Sequence, residues 1–269
     1  MSLTLGNGPF ARRADAGESN VTIEGPAHVL WFHDVPKRVR ATFGGEVVVD
    51  TEHARLLHET RLLPVYYLPR RDVRFELLEP TATRTHCPFK GDARYWSIRV
   101  GDRVAEDAVW GYDEPIAGAP DLAPYVALYF DRLDHWYEED VEIHGHPRDP
   151  FHRVDVAPSS RQVVVRVDGE VVAETDDPVL LFETGFPVRY YLPESAWRPG
   201  VTLDSDRTTH CPYKGRADYR SLRSPATGEV LDAVLWRYAD PLDESRGIAG
   251  RWSFDQGDER LEVEVSPGA

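Results

Sequence analysis

Across most of the chain, apolar and polar residues alternate at every second position, the period of a half-buried strand. Val39-Arg40-Ala41-Thr42-Phe43, then Gly44-Gly45, then Glu46-Val47-Val48-Val49 reads as a β-hairpin. Val163 to Arg166, Val167-Asp168-Gly169-Glu170 and Val171-Val172 repeat the pattern with an Asp-Gly turn. Short strands are predicted at Val65-Tyr66-Tyr67-Leu68 and Val188-Arg189-Tyr190-Tyr191, each closed by proline. Val73, Phe75 and Leu77 alternate with Arg74 and Glu76, and Arg94–Val100, Gly101-Asp102 and Arg103–Ala105 form another hairpin pattern. One stretch has helical spacing: Leu122, Tyr125-Val126, Tyr129-Phe130, Leu133 and Trp136-Tyr137, with Asp121 as its cap. A shorter counterpart is expected from Ser245 to Phe254, followed by a strand over Leu261–Val265. The fold class predicted is mainly β with few helices.

The pattern occurs twice. Thr85-His86-Cys87-Pro88-Phe89-Lys90-Gly91 returns as Thr209-His210-Cys211-Pro212-Tyr213-Lys214-Gly215, a shift of 124 residues. The same shift lays Pro26-Ala27-His28 on Pro150-Phe151-His152, and Tyr66-Tyr67-Leu68-Pro69 on Tyr190-Tyr191-Leu192-Pro193. Glu59-Thr60 falls on Glu183-Thr184, and Tyr95 and Ser97 on Tyr219 and Ser221. Two extra residues near Ser224–Gly228 then move the match, so that Trp110-x-Tyr112 meets Trp236-x-Tyr238. Two units of this length mean duplicated domains, since solenoid repeats are shorter and more numerous. The expected division is a flexible tail over 1–24, a first repeat over 25–140, and a second over 141–269 with a linker at its start. Duplicates of this kind are expected to pack about a pseudo-two-fold axis, as a dimer within one monomeric chain.

Charge narrows the partners. The chain of 269 residues carries a formal net charge of −15, which opposes binding to nucleic acid or an anionic membrane surface. A small organic molecule is the partner expected. Two cysteines fit a reducing compartment better than a disulfide scaffold. The first residues lack a signal-peptide pattern and no apolar run is long enough for a membrane helix, so a cytoplasmic location is expected.

The duplicated septet is the best pointer to chemistry. Cys87 and Cys211 each precede a proline at the mouth of a turn, and Lys90 or Lys214 three residues on can favour a thiolate. Buried neutral thiols, by contrast, are small apolar fillers. His86 and His210 adjoin the cysteines, but neighbours in a strand point to opposite faces. His28 and His152 are therefore better placed as bases, and Glu59 and Glu183 are the matching carboxylates. For each glutamate the competing reading is a strand end, solvated or ion-paired with Lys90 or Lys214. Tyr67, Tyr191, Tyr95, Tyr219, Trp110 and Trp236 either line a pocket or fill the core. His135, His144 and His146 with His152 are too sparsely supported for a structural zinc site, and glycine-rich phosphate loops are absent. No metal and no cofactor is expected.

Glu-Thr-Gly, Tyr-Tyr-Leu-Pro, the septet with its following Ala-x-Tyr-x-Ser, and Trp-x-Tyr together resemble the DUF427 family, here in tandem. The first copy departs from that pattern at Arg61, where the second has Gly185. The resemblance implies two compact β-rich domains of the Mss4-like kind, without the zinc-binding cysteine pairs of some such folds. It implies no activity, because the family's function is unknown. Three readings stand: a small-molecule enzyme with a cysteine nucleophile, a hydrolase or group transferase, in a pocket at the septet; a non-catalytic ligand-binding or structural β-domain; and the nucleotidyltransferase label sometimes attached to the family. Against the last, the chain has no paired aspartates following a Gly-Ser motif.

Overall fold

Alternation at period two makes strands, and hairpin pairs of consecutive strands are joined by long-range pairings, such as Leu30–Asp34 with Arg55–Glu59, Val39–Phe43 with His135–Glu138 and Val65–Pro69 with Tyr125–Leu128. The computed structural model describes residue 20 and residues 28–268, and the chain divides into two compact units, residues 1–151 and 152–269. The tail expected over 1–24, apart from residue 20, lies outside the described residues.

In the first unit the strands are β1 (Leu30–Asp34), β2 (Val39–Phe43), β3 (Glu46–Thr51), β4 (Arg55–Glu59), β5 (Val65–Pro69) and β6 (Leu78–Cys87). They continue with β7 (Gly91–Val100), β8 (Arg103–Gly111), β9 (Tyr125–Leu128), β10 (His135–Glu138) and β11 (Val141–Ile143). A seven-stranded antiparallel sheet has the order β1-β4-β5-β9-β8-β7-β6, and a four-stranded sheet the order β11-β10-β2-β3. One face of the large sheet shares a core with the small one, joining Leu56, Leu68, Ile98, Val109 and Val126 to Val39, Ala41 and Val49. Its other face carries a separate cluster of Leu57, Tyr67, Ala93, Tyr95 and Ala127, with Cys87, Phe32 and Trp110 at the margin.

The second unit comprises β12 (Val154–Pro158), β13 (Gln162–Val167), β14 (Glu170–Thr175), β15 (Val179–Glu183) and β16 (Arg189–Tyr191). After these come β17 (Thr202–Cys211), β18 (Gly215–Arg223), β19 (Val230–Tyr238), β20 (Trp252–Phe254) and β21 (Leu261–Ser266). The sheet orders are β12-β15-β16, β14-β13-β21 and β17-β18-β19-β20. A single bridge between Leu192 and Trp252 takes the place of the continuous pairing that joins the first unit's large sheet. Here too the core is double: Val163, Val165, Leu222, Leu235 and Phe254 form one cluster, and Leu181, Tyr191, Ala217 and Tyr238 the other.

The helix expected over 121–137 does not form. Its residues make β9, a 3-10 turn over Phe130–Arg132, and β10. The reason is that β9 is buried on both sides: Val126 and Leu128 enter one cluster and Ala127 the other. A strand with two buried faces reads as a continuous apolar run, and such a run fits helical spacing by accident. The stretch from Ser245 to Phe254 is likewise a 3-10 turn over Asp243–Ile248 followed by β20. Of the alternating Val73–Leu77 segment only Val73 bridges a strand, to Val49, and Phe75–Leu77 is a 3-10 turn.

Phe254, on the short strand β20, is fully buried in the second unit's main core. Phe254→Ala is expected to lower stability by about 3–5 kcal/mol, read from the midpoint of urea unfolding. A loss below about 1 kcal/mol would mean that this core does not hold the second unit.

Candidate active site

The septet is a hairpin turn. Cys87 is the last residue of β6 and pairs with Gly91, the first of β7, and the amide of Lys90 donates to the carbonyl of Cys87 at 3.2 Å. Gly91 closes the turn at φ 104°, a conformation that side chains rarely adopt, and a Cβ there would meet the carbonyl oxygen of Glu114 at 3.2 Å. Gly215 does the same between β17 and β18 at φ 97°.

This turn sends its lysine inward. Lys90 Nζ donates to Glu59 Oε2, at the end of β4, and both side chains are nine-tenths buried. His28 Nε2 meets the other oxygen, Glu59 Oε1, at 2.9 Å, and its ring lies flat on Phe89 of the septet, centroids 3.6 Å apart and planes 8° apart. In the second unit Lys214 Nζ donates to Glu183 Oε1 at 2.5 Å, and His152 Nε2 meets the same atom at 2.9 Å. His152 stacks on Tyr213 at 4.1 Å. The threonine after each glutamate anchors the histidine segment: Thr60 Oγ1 accepts from the amide of Val29, and Thr184 Oγ1 from that of Arg153, both at 2.9 Å. Each glutamate is thus both ion-paired with its lysine and bonded to its histidine.

Burial acts to raise the Glu183 carboxyl. The hydrogen bond from His152 and the charge of Lys214 act the other way and hold it below the usual value of 4.5. The site carboxylate is therefore ionised at neutral pH, with two nitrogen partners.

Cys87 and Cys211 are free and half-buried. Each lies at the margin of the tyrosine cluster of its unit. Among the described residues no base is hydrogen-bonded to either thiol. His86 points away, its Nδ1 bonded to Asp92 at 2.6 Å on the solvent side. His210 is exposed in the same register of β17.

The aromatic residues share the face that carries the cysteines. Tyr95 Oη and Thr85 Oγ1 are 3.0 Å apart, as are Tyr219 Oη and Thr209 Oγ1. Trp236 Nε1 donates to Tyr191 Oη at 3.3 Å. Burial pushes the hydroxyls of Tyr67, Tyr112, Tyr191 and Tyr238 well above the usual tyrosine range, so the wall is one of neutral phenols. Tyr112 and Tyr238 belong to it although only their place in the Trp-x-Tyr repeat marked them, and Phe89 and Tyr213 hold the histidines in a role that no spacing revealed.

A second histidine group was not anticipated. In the first unit His33 Nε2 and His58 Nε2 are 3.0 Å apart, Trp31 stacks on both rings, and Asp149 Oδ2 lies 3.8 Å from His58 Nδ1. Burial lowers His58 to about 4, so it is neutral at pH 7. Of the interdomain histidines, His135 Nδ1 bonds Glu142 at 2.7 Å and His146 Nδ1 the carbonyl of Pro147. Among the described residues no three histidine, cysteine or acidic side chains converge as a metal site, and no helix is long and apolar enough to cross a membrane.

A duplicated antiparallel β-domain, each copy closing its septet hairpin onto a Glu–His–Lys centre, is thus the class of protein defined. The model of the family described as a domain of unknown function, DUF427, matches residues 31–139 and 155–266, and the chain belongs to that family as a tandem member. No curated protein matches it.

The lowered Glu183 carboxyl carries a sign. A depressed folded-state value gives stability that is complete above the unfolded group's 4.5 and is lost as pH falls through the folded value. Urea unfolding from pH 7 to 3 is expected to show this acid-side loss. Glu183→Gln should flatten that limb and, by leaving the Lys214 ammonium buried without its partner, lower stability at pH 7 by about 3–5 kcal/mol.

Proposed function

We propose that each repeat is a small-molecule enzyme site in which the Glu–His pair moves protons on a ligand held against the tyrosine face. The observation that carries this is the recurrence of one centre with the same partners in both units: glutamate between a septet lysine and a stacked histidine. A carboxylate bonded to one imidazole nitrogen fixes the ring and leaves the other to take a proton. In the second unit that other atom, His152 Nδ1, is buried and has no hydrogen-bond partner among the described residues. A substrate O–H or C–H placed there would give its proton to Nδ1, and the imidazolium so formed would be stabilised by the carboxylate already on Nε2. Lysine keeps that carboxylate ionised despite burial.

Cys87 and Cys211 then serve as part of the ligand wall. A cysteine nucleophile requires an activating base or cation, and the septet lysines, the nearest in sequence, are engaged by the glutamates. Nucleotidyl transfer gains no support from the site, because it needs carboxylates arranged for magnesium. The net charge of −15 favours a small molecule over nucleic acid.

The test is a panel of small esters, lactones and enolisable ketones, followed by variants. Turnover on the panel is expected to fall by about 10²–10⁴ in the double variant His28→Gln/His152→Gln and to survive in Cys87→Ser/Cys211→Ser. The reverse outcome, with fast iodoacetamide labelling at low pH, would assign the cysteines as nucleophiles instead. Saturable binding without turnover of any panel member would make the repeats binding modules.

A further inference from the structure

We infer that the ligand of the second repeat is a small organic anion, a carboxylate or phosphate on a planar ring, and that the first repeat takes an uncharged one. This rests on the tyrosine face being the ligand site, and adds the charge of the ligand to it.

The inference starts from two arginines. Arg189, on β16, has its guanidinium carbon 5.5 Å from the centre of the Trp236 ring, and Arg207, on β17, has its own 4.6 Å from that of Tyr219. Those two rings are neighbours, centroids 6.5 Å apart, on paired residues of β18 and β19. Arg189 is two residues from Tyr191 and pairs with Leu181, both in the tyrosine-face cluster, so it belongs to that face. Among the described residues neither guanidinium makes a hydrogen bond or an ion pair.

That is unusual company for arginine in a chain with 46 acidic residues against 31 basic ones. In the first unit, every arginine that lies over a ring is engaged: Arg132, over Tyr129, donates to the carbonyl of Glu106 at 2.7 Å, and the others are held by acids. Arg55 over Phe32 is bound to Asp34 at 3.0 Å, Arg94 over Trp96 to Asp113 at 2.8 Å, and Arg103 over Phe43 to Asp134 at 2.7 Å. A guanidinium laid over a ring keeps its N–H edge turned outward, and that edge matches a carboxylate or phosphate with two parallel hydrogen bonds. Two such edges over adjacent rings present stacking surface and anion recognition together. The acidic group of the same site does not oppose an anion, since Glu183 is covered by Lys214 and His152.

The first repeat is the control. Its residues at the equivalent positions are Val65 and Thr83, and the Thr83 hydroxyl is bonded to Asp107 at 2.7 Å. With neither arginine, its tyrosine face presents neutral phenols and no free guanidinium at those positions.

The experiment uses the full chain and three probes of one shape: benzoate, phenyl phosphate and benzamide, titrated by calorimetry at low and moderate salt. The intact protein is expected to bind one or both anions at least about ten-fold more tightly than benzamide, with the preference shrinking as salt is added. Arg189→Val/Arg207→Thr, which installs the residues of the first repeat, should weaken binding of the preferred anion at least about ten-fold and reduce the preference to near one, with the thermal midpoint unchanged. The stronger of the two anions identifies the headgroup. Equal binding of the three probes, or a preference that survives the double substitution, overturns the inference and leaves the tyrosine-face site standing. Failure of all three probes to bind overturns both.

Discussion

A buried ammonium needs a buried carboxylate, and in both halves of this chain that need ties the septet turn to the far end of another strand. Lys90 and Lys214 sit at the third position of a tight hairpin loop, where a lysine ordinarily extends into water. Here the side chain turns under the sheet to a glutamate 31 residues away in sequence. Either charge alone in that position would cost several kcal/mol. Glycine at the end of the loop, threonine after the glutamate and the stacked histidine all serve to hold the two charges together. A buried ion pair is weak evidence for stability, because well-packed apolar residues of the same volume do as well or better. Its presence in both copies is what the proposed role of the carboxylate would require.

The two copies act as an internal comparison. Where they agree, geometry agrees closely: the histidine–glutamate distance is 2.9 Å in each, and the tyrosine–threonine distance 3.0 Å in each. They differ on the tyrosine face, where only the second has Arg189 and Arg207 over its rings, and also elsewhere. Arg61 occupies a left-handed backbone position, φ 68°, that Gly185 occupies at φ 79°. An arginine held there costs on the order of 1 kcal/mol relative to glycine. The arginines of the second face, and the His33–His58 pair behind the first sheet, have no counterpart in the other copy. Shared machinery with altered surroundings is what duplication followed by a change of ligand would leave.

Much of this was legible in the residues, and the parts that were not share a cause. The hairpins at 39–49 and 162–175 declared themselves because one face of each strand is apolar and the other wet, with Gly-Gly or Asp-Gly between. The run at 122–137 misled because β9 lies inside the large sheet and is covered on both faces, so period two vanished. Site membership followed the duplication, which marked His28, Glu59 and Lys90 as equivalent to His152, Glu183 and Lys214. It did not say that these three meet, because their contacts span more than thirty residues and no local pattern encodes them. Nor did it separate a thiol beside a lysine in sequence from a thiol beside one in space: three residues along a hairpin loop carry Lys90 to Glu59, away from its role as the partner of Cys87.

The resulting division of labour follows from dielectric environment. Phenols buried against tryptophan stay neutral and accept from the indole N–H, as Tyr191 does from Trp236, without bringing charge into the site. A glutamate lies at the edge of that wall in each unit, bonded to lysine on one side and to histidine on the other. In a low-dielectric surrounding each of these groups acts more strongly than it would in water, and each is costly if left unpartnered. On the proposed reading, a ligand between the phenols and the histidine would give His152 Nδ1 the hydrogen-bond partner that it lacks among the described residues.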